Sequence, residues 1–145
     1  MVTVHLAVGL TLIAFNLAAG AVGGVAWLRD RPSIPFWYLL RIAQVAVFLQ
    51  AMLGGLLVFT NHKPDDDLHY LYGILPLFVS LLAEGARGGA AERELRDIED
   101  FESLPGEDQQ SIAMAIVRRE MGIMAVSCGV ILFLALRAAG TSGAF

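Results

Sequence analysis

The stretch FWYLLRIAQVAVFLQAMLGGLLVFT, residues 36 to 60, contains one charged side chain, Arg41, and no proline. It exceeds the ~20 predominantly apolar residues that cross a bilayer core, and a continuous helix is the form in which such a run satisfies its own backbone there. Working outward, Val2 to Leu28, Leu68 to Ala83 and Met121 to Ala139 are further apolar runs of comparable reach. The whole chain follows the same pattern: 145 residues, 57% hydrophobic, 17% charged, with a mean hydropathy of +0.65, well outside soluble-domain composition. The expected fold is an all-α polytopic membrane four-helix bundle. It forms one integral membrane domain over residues 1–145, with spans at about 2–28, 36–60, 68–87 and 112–139.

The first span has no Lys or Arg leader, so it reads as a retained helix rather than a secretory signal. Arg29 and Arg31 flank the first connection and Arg87, Arg93, Arg96, Arg118 and Arg119 lie along the third, whereas the opposite side holds Lys63 and Arg137. Positive residues near span ends stay inside, so both termini are expected outside, in a membrane such as the bacterial inner membrane. Residues 90 to 104, AAERELRDIEDFESL, place Leu95, Ile98, Phe101 and Leu104 at helical spacing, which predicts an amphipathic helix on the inner side. Pro105-Gly106 ends it, and Glu107 and Asp108 suit the N-terminus of a long fourth helix.

At about 100° per residue, one stripe of the first span collects His5, Gly9, Leu12, Asn16, Gly20 and Gly23. Small and polar residues on a membrane helix mark contact with other helices. The third span groups His69, Gly73, Pro76, Ser80 and Arg87 in the same way, and both stripes place a glycine four residues deeper than a histidine. A flat macrocycle held by an imidazole needs a neighbour without a side chain in the next turn, which Gly9 and Gly73 supply. His5 and His69 are therefore candidate axial ligands of a b-type haem serving electron transfer in an outer-leaflet pocket, with His62, Lys63 and Arg137 near its propionates. The layout is similar to that of small four-helix membrane b-type cytochromes.

Two other readings use the same residues. His5 and His69, with His62 and some of Asp65, Asp66 and Asp67, are an N/O set for an outer-face metal ion, although the aspartates equally suit the cap of the third span. Alternatively the histidines are headgroup-level packing residues, and the chain is a structural or assembly subunit of a larger membrane complex or a homo-oligomer. Span two carries Arg41 and Gln44 on one face and Gln50 on nearly the opposite one. Arg41 is close enough to the inner interface to snorkel, so its role stays open. The lone Cys128 excludes an intrachain disulfide, and a net charge of −4 with scattered arginines gives no basis for nucleic-acid binding.

Overall fold

The computed structural model describes residues 1–60 and 66–141 and is all-helical over them. Four helices follow in order: α1 Val2–Leu28, α2 Ile34–Phe59, α3 Leu68–Leu95 and α4 Gly106–Gly140. Each is long and apolar enough to cross a membrane. α4 packs along both α1 and α3, α2 packs along α1, and the α2–α3 seam is the thinnest, so α1 and α3 face each other diagonally across the bundle.

Local chemistry sets the ends. The first connection turns at Asp30, whose φ of 52° is left-handed. Ser33 then caps α2, its hydroxyl accepting from the Phe36 N–H at 3.3 Å, with Pro35 in the first turn where no backbone donor is needed. Asp66 provides the expected carboxylate at the start of α3, its Oδ1 accepting from the Leu68 N–H at 2.9 Å. Asp67 makes no side-chain cap, and Asp65 lies outside the described residues.

Residues 90–104 do not form a separate helix. α3 runs without interruption through Gly88 and Gly89 to Leu95, and the remainder is a series of turns closed by Gln109, whose Nε2 donates to the Glu102 and Leu104 carbonyls. Packing supports the continuation: Ala90 is buried, and Glu94 is paired with Arg119 of α4 at 2.7 Å, contacts that offset part of the ~1 kcal/mol that each glycine costs a helix. The periodic Leu95, Ile98, Phe101 and Leu104 are all partly buried, as an inward apolar edge requires. α4 begins directly after Pro105. At 1.5 Å per residue its 35 residues reach about 50 Å, well beyond the ~30 Å hydrocarbon core, so its first turns stand clear of the apolar slab, past the end of α3 and against the turns of residues 96–104.

The core is narrow and made of small contacts. Phe36, Leu40, Met121, Met124, Cys128 and Asn16 are fully buried, and Met121 and Met124 act as packing residues. Glycines allow the close approaches. A Cβ on Gly23 would enter the Phe36 ring, and one on Gly122 would lie 2.8 Å from the Trp27 indole. Outside, Leu17, Phe48, Met52, Phe78, Leu82 and Phe133 are exposed, an apolar exterior that lipid solvates and water would not.

Candidate cofactor site

The two predicted inward stripes do face inward. In α1, His5 and Gly9 are partly buried and Leu12, Asn16 and Gly23 buried; in α3, His69 and Gly73 are partly buried and Pro76 and Ser80 buried. Because α1 and α3 are diagonal, the histidines meet across the bundle axis, with ring centres 6.2 Å apart and planes at 62°. Two imidazoles on opposite sides of one metal, each nitrogen about 2 Å from it, have centres about 6 Å apart, which is the ring-centre distance seen here.

The rings differ in what holds them. His69 donates from Nδ1 to the Ala138 carbonyl at 2.9 Å, which leaves Nε2 as the nitrogen with a free lone pair. Metal-binding histidines characteristically carry such an outer hydrogen bond, which fixes tautomer and ring orientation. His5 is held by Gln50 of α2, whose amide Nε2 donates to His5 Nε2 at 3.1 Å. Among the described residues two atoms of that pair, His5 Nδ1 and Gln50 Oε1, are buried without a partner, each at a cost of about 1–3 kcal/mol.

Beside the rings lies a partly open apolar cavity of about 620 Å³, within the usual range for ligand sites, with walls from all four helices. Gly9 and Gly73 both line it but act differently. A Cβ at Gly9 would sit 3.0 Å from Gln50 Nε2, so this glycine makes room for the glutamine to reach His5; a Cβ at Gly73 would meet nothing within 4 Å. Gly54, absent from the sequence-derived set, brings α2 against His5, with its Cβ position 3.4 Å from Cε1. At the rim Arg137 lies over the Tyr72 ring at 5.6 Å. His62 and Lys63 lie outside the described residues.

Three of these observations bear on whether a haem fits: the ring-centre distance, the space beside Gly73 and, among the described residues, the unpartnered polar atoms on His5 and Gln50. For a bare metal ion, the described residues contain no group of three or more His, Cys, Asp or Glu side chains that could surround it. Zinc prefers four protein or water donors, whereas a porphyrin brings four nitrogens of its own.

A second polar cluster sits at the far end of the same bundle. Glu84 of α3 accepts from Arg41 at 2.7 Å and from Gln44 at 2.6 Å through Oε1, and from Arg87 at 2.8 Å through Oε2. Arg87 also approaches Glu120 of α4 at 3.6 Å and lies 6.0 Å from the Trp37 ring centre. Arg41 therefore has a carboxylate partner across the thin α2–α3 seam. Fifteen residues of helix, about 22 Å, separate Glu84 from His69, so the cluster fastens α2 to α3 away from the cavity.

Compared with known proteins, the chain matches no family model, no curated protein and no solved structure.

Proposed function

We propose that this membrane protein binds b-type haem between α1 and α3, with His5 and His69 as axial ligands, and serves electron transfer. The observation that carries this reading is the pair of imidazoles 6.2 Å apart across the bundle axis, one of them already oriented through Nδ1 by a backbone carbonyl. Bound there, haem would supply one-electron redox chemistry at a potential set by its axial ligands and their surroundings. The chain's own residues supply the rest. His69 gains basicity from donating to Ala138, the apolar walls limit water, Gly73 leaves room for a ring edge, and Arg137 places positive charge at the rim, where propionates would lie.

The arginine distribution supports an orientation with both termini, and therefore the histidine end, outside. A visible spectrum of detergent-purified protein, expressed with added haem precursor, tests the function. The expected result is a low-spin Soret band in the parent protein that collapses in His5→Ala and in His69→Ala. A parent protein that stays colourless and gives no saturable spectral change on hemin titration refutes the proposal. If that colourless protein co-purifies with stoichiometric partner chains, the structural-subunit reading takes its place.

A further inference from the structure

The two unpartnered atoms beside the cavity are complementary. With the Gln50 amide nitrogen donating to His5 Nε2, that ring nitrogen is an acceptor and Nδ1 carries the proton, while Gln50 Oε1 is an unused acceptor on the side chain already touching the ring. We propose that Gln50 is the positioning residue of His5 and holds it in two alternative ways. In the ligand-free protein its amide N–H covers Nε2, the nitrogen that would ligate. When the ring turns so that Nδ1–H meets Oε1, both orphaned atoms are paired and Nε2 is released toward the cavity. His5 then has the same outer hydrogen bond, Nδ1–H to a carbonyl oxygen, that His69 already makes to Ala138.

Three features of the bundle support a built arrangement. Gln50 is a polar side chain in an apolar span, Gly9 leaves the space its amide occupies, and Gly54 admits the edge of the His5 ring. The inference rests on the haem reading for its ligand-bound half, whereas its ligand-free half concerns the protein alone.

The experiment compares wild type, Gln50→Leu and Gln50→Glu by hemin titration, redox potentiometry and ¹⁵N-histidine spectra of the haem-free protein. Removing an outer-shell partner typically weakens metal binding 10- to 100-fold, so Gln50→Leu is expected to lose hemin affinity on that scale while keeping a two-imidazole spectrum. An acceptor on Nδ1–H makes the ligand more basic and favours the ferric state. Leucine should therefore raise the midpoint potential and glutamate, a stronger acceptor, should lower it. A role confined to packing would not set the tautomer of His5. Unchanged potentials, or shifts of the same sign, overturn the proposal. In the haem-free wild type His5 is expected as the Nδ1–H tautomer; an Nε2–H tautomer overturns it independently of how either variant folds. A wild type that shows the expected tautomer but never takes up hemin refutes the haem reading instead.

Discussion

Gly73→Leu separates the space beside His69 from the stability of the fold. A Cβ at this position meets nothing within 4 Å among the described residues, so the backbone there is not pressed against a neighbour as Gly23 and Gly122 are. Exchanging glycine for leucine in a helix interior recovers most of the about 0.8–1.0 kcal/mol by which glycine falls short of alanine. With no clash to offset that gain, the variant should unfold at the same denaturant concentration as the parent protein or a slightly higher one. Its side chain would project into the 620 Å³ cavity one turn from His69, where a planar ligand would rest. Hemin affinity should then fall by more than 100-fold, equivalent to about 2.8 kcal/mol at 1.4 kcal/mol per tenfold. Unfolding in mixed micelles followed by circular dichroism and hemin titration followed at the Soret band give the two numbers. A variant that binds hemin like the parent protein shows that the ligand does not use this space. One destabilised by more than about 2 kcal/mol shows that the space is not open, because overpacking typically costs 1–3 kcal/mol.

Three further outcomes are expected. Gly122→Ala should destabilise the bundle by about 1–3 kcal/mol, because the new methyl would lie 2.8 Å from the Trp27 indole, whereas Gly129→Ala, with nothing within 4 Å, should be neutral or stabilising; equal effects in micelle unfolding would contradict the tight α1–α4 contact. Glu84→Leu and Arg41→Leu should combine less than additively, with a coupling of about 0.5–1 kcal/mol. Arg41 is half exposed and its pairing is discounted accordingly, and additive losses would mean that the ion pair does not join α2 to α3. Thr141→Cys should react with a membrane-impermeant maleimide on intact cells and Ser103→Cys only after lysis, the native Cys128 being buried and silent; the reverse pattern inverts the proposed orientation.

The inward stripes were readable from sequence because a helix repeats at a fixed angle. Once His5, Gly9, Leu12, Asn16, Gly20 and Gly23 share a face and that face is small and polar, lipid is excluded as its neighbour. The same logic covered His69, Gly73, Pro76 and Ser80, and it placed Gln50 opposite Arg41, which is how the structure directs them, one to α1 and the other to α3. What the periodicity could not supply was the relative height of two helices. Arg41 meets Glu84 because of how α2 slides against α3, and His69 meets the Ala138 carbonyl because of how α4 slides against α3; neither offset is encoded in spacing along one chain segment. The separate helix expected over 90–104 failed for a related reason. Gly88-Gly89 resembles a stop signal, but the helix continues through it to a buried Ala90 and to Glu94, which pairs with Arg119 of α4.

The order of packing has a consequence for biogenesis. Of the four spans α3 is the least apolar, and its inward face is completed by α4, the last to be synthesised, while α1 and α2 already form a hairpin. A nascent chain paused before residue 106 would leave Ser80 and Arg87 of α3 without α4 on that side. α4 therefore completes the shielding of α3 within the bundle. Truncations within it should trap the protein at the translocon or expose it to membrane proteases, and should not yield a stable three-helix remnant.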